Sequence, residues 1–157
     1  MEKIGLSPKN RGQSYFRDHD SVAKYPSSWE YQVKYKIKER YARQLVAGKL
    51  LKEAKFRMIE LGYSKEMLAL LPNDLRKAFS GCGCPISKLK LVGNEVLVDL
   101  GCGAGIDSFL VSKLLNNGMV VSVDFTLPYL NLLKRHAKGV PILVLNGDLE
   151  RIPLASN

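Results

Sequence analysis

Histidine is nearly missing from this chain, cysteine is sparse, and long apolar runs are absent. The two histidines, His19 and His136, are far apart in sequence, and neither is close to a cysteine. The three cysteines are Cys82, Cys84 and Cys102, a C-G-C pair and one distant residue, which is not the paired C-x-x-C spacing of a zinc site. They are also too few and too close for a disulfide framework, so reduced thiols are expected. A bilayer-spanning helix needs about 18 apolar residues in a row, which no stretch here approaches. The opening "MEKIGLSPKN" lacks the apolar core of a secretory signal. A soluble, cytoplasmic chain is therefore expected, and its 157 residues at 46% hydrophobic content suffice for one ordinary core.

Acidic residues are far outnumbered in the first half. Residues 1–80 hold 17 Lys/Arg against 9 Asp/Glu, whereas residues 81–157 hold 7 against 6, so nearly all of the net charge of +9 is N-terminal. Residues 1–30 mix Gly, Pro, Ser and charge without a sustained period and read as an irregular lead-in. Residues 31–80 form a basic helical region. Val33, Ile37, Tyr41 and Leu45 recur four apart, and Ala54, Met58 and Leu61 continue the face, which predicts one long amphipathic helix or two broken near Gly48, with a stop at Gly62. Ser64 is expected to cap a short helix that ends before Pro72, and Asn73 or Asp74 to cap the next. "GCGCP", residues 81–85, reads as a loop.

From Glu95 onward the pattern alternates: strand "EVLVDL", helix "IDSFLVSKLLNN", strand "MVVSVD", helix "LPYLNLLKRHAK", strand "PILVLNGD". A β-α-β-α-β run with short loops closes as a parallel sheet with helices on its faces, so residues 81–157 predict a Rossmann-like α/β unit. Its first strand opens into Asp99-x-Gly101-x-Gly103-x-Gly105. Such a turn places unpaired backbone N–H groups at the carboxyl edge of the sheet, where nucleotide-like ligands bind. The dinucleotide fingerprint fails because position 106 is Ile106, and the phosphate loop fails because no Lys-Ser or Lys-Thr follows Gly105.

An acid ahead of three alternating glycines, a second acid Asp124 at the next strand end 23 residues past Gly101, and a third, Asp148, after the last strand resemble the class I S-adenosylmethionine-dependent methyltransferases. The resemblance implies S-adenosylmethionine as cofactor. It implies that Asp124 accepts bonds from the ribose hydroxyls, that Asp148 faces the adenine amine, and that Asp99 lies near the amino end of the methionine moiety. Gly101, Cys102, Gly103 and Gly105 would border the cofactor, as would Phe125 and Leu149, which follow the second and third acids. Cys102 also reads as a small side chain tolerated in a tight turn.

The segments "GYSKEMLALLP", "GCGCP", "VLVDLGCGAGIDSFL" and "VVSVDFT" are similar to the arsenite methyltransferase group. That likeness aligns Tyr41 with a tyrosine that covers the cofactor and Cys82, with Cys84 beside it, with a thiol that binds trivalent arsenic, a soft ion suited to thiolates. The methyl acceptor would be a small molecule, arsenite among the candidates, attacked in line at the sulfonium methyl, so that catalysis rests on proximity and orientation. The match is incomplete: Ser108 stands where the group carries a cysteine, and the group's further cysteines lie beyond a fourth strand. No catalytic residue is identified; His136, beside Lys134, Arg135 and Lys138, reads as a solvated or helix-dipole residue.

In that family the sheet continues past the point where this sequence stops, and only strands 3-2-1 are expected here, a chain truncated before strand 4 with a cofactor half-site and little turnover. The first strand would then be a hydrophobic edge prone to self-association unless the N-terminal helices or a second copy cover it. A rival reading is a non-catalytic module. The nine Lys/Arg against two acids between Lys34 and Arg57 could bind nucleic acid, or the chain could pair with a full-length methyltransferase; a solvated helix face accounts for the charge more simply, and a membrane-surface helix is disfavoured.

Overall fold

The computed structural model describes residues 29–46, 51–152 and 154. Most of the lead-in and the break expected near Gly48 fall outside the described residues. Helix α1 spans Trp29–Val46 and α2 spans Leu51–Glu60. On α2 the i, i+4 pair Ala54 and Met58 is buried, as its period requires. On α1 the expected apolar face is only partly used, because Ile37 is 40% exposed.

Gly62 ends α2 at φ +101, a conformation glycine adopts without Cβ strain. The Gly62 N–H donates to the Ile59 carbonyl and the Tyr63 N–H to the Met58 carbonyl, each at 3.0 Å, the paired bonds of a Schellman stop. This stop turns Tyr63 inward. Helix α3, Lys65–Leu70, starts as expected, with the Ser64 hydroxyl accepting the Met67 N–H at 3.2 Å. Helix α4, Asn73–Lys77, does not: Pro72 occupies the cap position and no side chain caps it. Asp74 sits inside the first turn, where one oxygen accepts the Leu75 N–H at 3.0 Å and the other lies 2.9 Å from His136 Nε2. His136 is thus a half-buried partner of Asp74 rather than a freely solvated residue.

Strands β1 (Val96–Leu100), β2 (Met119–Asp124) and β3 (Ile142–Asn146) form a parallel sheet in the order β1-β2-β3, linked by α5 (Ile106–Ser112) and α6 (Leu127–His136). The fold is Rossmann-like. Register places Asp99 beside Ser122, and both face α5, where Ser108 meets them. The core gathers Met58, Leu68, Leu75, Phe109, Val111 and Val120 between this face and the N-terminal helices.

Helix α5 is shorter than its apolar pattern predicts. The Gly93 carbonyl takes the N–H groups of Asn116 and Asn117 at 2.8 and 3.0 Å, and this capture pulls residues 113–117 out of the helix toward β2. β1 is an edge strand, as expected; its Val96, Val98 and Leu100 are 67%, 41% and 49% exposed, so the described N-terminal helices do not cover that face.

Candidate functional site

At the carboxyl ends of β1 and β2 lies a cleft of about 400 Å³. Its floor is the glycine loop, Asp99 and Asp124; its walls are Phe125, Thr126 and Tyr129 on one side and Ser80, Gly81 and Cys82 on the other, with Tyr41 of α1 above. The Tyr41 and Tyr129 rings meet edge to face at 6.4 Å, which seats the helix against the cleft wall. The volume falls within the range of small-molecule pockets.

The glycine loop is held from both strands. The N–H groups of Gly101 and Cys102 both donate to the Val123 carbonyl, at 2.8 and 3.1 Å, so the loop continues the β1-β2 ladder for one more step. Gly101, Gly103 and Gly105 all have positive φ. Their roles differ. A Cβ on Gly103 would meet nothing within 4 Å, whereas one on Gly105 would lie 2.4–2.9 Å from the Leu133 side chain. Gly103 therefore borders open cleft, and Gly105 is a packing glycine that lets α5 approach α6, not a lining residue.

Asp124 is 7% exposed and pins the loop. One carboxylate oxygen accepts the Gly103 N–H at 2.9 Å and the other the Thr126 N–H at 2.7 Å. A carboxylate offers about four lone-pair sites, so both oxygens keep capacity for a ligand hydroxyl. The Asn146 amide donates to the Asp124 backbone carbonyl at 3.0 Å and locks the strand end in place.

Asp99 is served by a buried relay: the Ser122 hydroxyl donates to Ser108 at 2.8 Å, and the Ser108 hydroxyl donates to Asp99 at 2.5 Å. Burial still raises the Asp99 pKa, with the Asp124 charge adding to it and the Ser108 bonds opposing. Burial, reinforced by Asp99 and Asp124, likewise pushes the Cys102 thiol well above its ordinary range. Cys102 lines the cleft as a neutral thiol, not a nucleophile.

Three residues at the site that were not anticipated from the sequence carry its electrostatics and polar contacts. Asp107 opens α5 and lines the cleft; the buried Tyr63 hydroxyl lies 2.8 Å from an Asp107 oxygen and 3.1 Å from the Gly83 carbonyl, so its one proton is shared between the two acceptors, the carboxylate being the nearer. Burial pushes Asp107 up to about 6 despite that bond, and burial with the nearby carboxylate keeps Tyr63 protonated as a donor. The third, Tyr129, is 2% exposed, and its hydroxyl points toward Ser80 without an aligned hydrogen bond.

The structure brings together Tyr41, Cys82, Asp99 and Asp124 with Gly101, Cys102 and Gly103, and adds Phe125. Cys84 is buried outside the lining, whereas Cys82 is exposed at the rim. Asp148 and Leu149 also lie outside it. Lys34 of α1 donates to Asp148 at 2.7 Å and also bonds Glu150, and the ammonium holds Asp148 below the usual carboxylate range. Leu149 lies against Gly101 from the β3 side.

The fold and site define a Rossmann-like domain with a glycine-loop cleft floored by carboxylates. No protein-family model matches the sequence. Among solved structures, the chain is similar to an arsenic (III) S-adenosylmethionine methyltransferase from Chlamydomonas reinhardtii, with 27% identity, a TM-score of 0.47, and coverage of 55% of this chain and 32% of that one. It is also similar to a coclaurine N-methyltransferase solved with N-methylheliamine and SAH, at 18% identity and a TM-score of 0.41, covering 79% of this chain and 46% of that one. The chain thus spans less than half the length of either protein.

Proposed function

We propose that the cleft binds S-adenosylmethionine and that the protein serves methyl transfer of the class I type. The observation that carries this reading is the joint placement of Asp124 and the glycine loop: a nearly buried carboxylate with spare acceptor capacity beside a loop whose Gly103 leaves open space. A ribose fits that combination, since its two hydroxyls are donors and the bare glycine backbone permits close approach. Asp124 would hold the ribose, Asp99 and the loop would border the methionine moiety, and Tyr41 would close over the top. When bound, the cofactor supplies an electrophilic sulfonium methyl. The residues of this chain orient it, exclude water and fix the direction of approach.

Calorimetric titration with S-adenosylhomocysteine tests the reading. Asp124→Ala removes charge-assisted bonds that contribute about 1.5–3 kcal/mol each, so affinity is expected to fall at least about tenfold. Wild-type protein that is folded but takes up no ligand sinks the proposal. Asp124→Asn, which keeps an acceptor oxygen for the loop, separates a lost ribose contact from a collapsed loop.

For the acceptor, the rim favours a soft species such as arsenite, because the thiol of Cys82 is exposed and lines the cleft. Cys82→Ser is expected to abolish arsenite uptake by the protein while leaving S-adenosylhomocysteine binding unchanged. Equal arsenite binding by both forms, followed by equilibrium dialysis, would remove Cys82 as its ligand, and no arsenite binding by the wild type would remove arsenite from consideration.

A further inference from the structure

Asp99, Asp107 and Asp124 all line one cleft, and no lysine, arginine or histidine among the described residues forms an ion pair with any of them. The described ion pairs are spent elsewhere, on Asp148, Glu150, Glu39 and Asp74. Three carboxyls therefore share a partly dry space without a counter-charge from those residues. Tyr129 adds an unsatisfied polar group at the same wall: its hydroxyl is nearly buried and has no aligned partner.

Asp107 is distinct from the other two. Asp124 accepts a backbone N–H on each oxygen, and Asp99 is held by both the hydroxyl and the backbone of Ser108, whereas Asp107 is held by the Tyr63 hydroxyl on one oxygen. The Tyr63 ring is fixed in turn, edge to face against Phe79 at 5.5 Å and with its hydroxyl shared with the Gly83 carbonyl. The second Asp107 oxygen has no hydrogen bond among the described residues, and Asp107 and Cys82 line the same cleft.

We propose that Asp107, aimed by Tyr63, is the specificity-determining carboxylate that receives the positive charge of the ligand, so that the cleft selects cationic over neutral adenosine compounds. The inference rests on the cofactor reading above, because S-adenosylmethionine carries both a sulfonium and an ammonium group. Tyr63 is a positioning residue: its bond stabilises the ionised form of Asp107. The charged and titratable groups facing Asp107 are Asp99 of β1 and Tyr63 of the α2–α3 turn, with Cys84 of the following loop beside Tyr63.

A carboxylate that must be ionised to bind a cation loses affinity when protonated. Asp107 sits at about 6, so binding of a cation is present above that value and fades as pH falls through it. Losing the Tyr63 bond would raise the Asp107 pKa further and shift the fade to higher pH.

The test is calorimetric titration of the full chain with S-adenosylmethionine and, separately, with neutral 5′-methylthioadenosine, between about pH 5 and about pH 7.5. Expected are a loss of S-adenosylmethionine affinity on acidification, a flat response to methylthioadenosine, and a drop of about tenfold for the cation alone in Asp107→Asn. Tyr63→Phe should move the midpoint upward, and it serves as the second variant if Asp107→Asn does not fold. Methylthioadenosine and S-adenosylmethionine binding with the same pH response, or an unmoved midpoint in Tyr63→Phe, overturns the role of Asp107 and leaves the cofactor reading standing. Neither compound binding to wild type overturns both.

Discussion

Two strand ends of the same sheet carry an acid, yet they are built on different principles. At the end of β2, Asp124 is nearly buried, each oxygen accepts one backbone N–H of an adjoining loop, and it faces the cleft. Beyond β3, Asp148 is partly exposed, accepts the N–H of Glu150 in its own turn at 3.0 Å, and is held by a lysine reaching from α1. The first arrangement is fixed by main chain, whose position the sheet determines. The second depends on a flexible side chain in water, where ion pairs are screened and contribute little.

The interior arrangement is expected to break at greater cost. Ser108→Ala removes the donor that Asp99 uses and leaves the Ser122 hydroxyl without its partner. Hydrogen bonds to charged groups contribute about 1.5–3 kcal/mol, and the loss should appear in urea unfolding as a lowered midpoint with an unchanged slope. The sign with pH follows from the carboxyl. Asp99 already has a raised pKa and Ser108 opposes the rise, so the mutation raises it more. The penalty is then largest at neutral pH, where Asp99 is ionised, and shrinks on acidification, where the protonated acid has less need of the donor. An equal penalty at both pH values would show that the relay does not end on a carboxylate.

The strands, the glycine loop and the order of elements were legible in the sequence because each is set by local patterning: alternation and β-branching for the strands, glycine for positive φ. The places of Asp124, Asp99 and Gly103 at strand ends and in the loop followed from that frame, and their roles toward a ligand came from the resemblance. Tyr63 and Asp107 did not, because their bond joins residues 44 apart and depends on how the Gly62 stop aims the chain. The available signal was an acid directly after the glycine loop in "GID", which a tally of strand-end acids passes over. Ser108, noted in the sequence only as a departure from a cysteine, is the centre of the relay. Asp148 was placed at the ligand by resemblance, whereas the competing attraction of Lys34, 114 residues away, has no local sequence signal. The length of α5 was overestimated for a similar reason: the apolar period runs on to Leu115, but the Gly93 carbonyl captures the chain first.

The exposed arrangement should break at the least cost and so sharpens the contrast. Asp148→Ala releases Lys34, which keeps Glu150 as a partner, and removes one acceptor from a solvated turn. No measurable shift of the unfolding midpoint is expected in about 0.15 M salt, where the screening length is about 8 Å. S-adenosylhomocysteine affinity distinguishes the two possible meanings of the residue. If Lys34 holds Asp148 as a surface tether, affinity is unchanged by Asp148→Ala and by Lys34→Ala alike. If ligand entry draws Asp148 off the lysine to bond an adenine amine, Asp148→Ala weakens binding whereas Lys34→Ala strengthens it, because the lysine then competes with the ligand for the same oxygen. Opposite signs in the two variants would return Asp148 to the site and make the strand-end comparison one of readiness rather than of role.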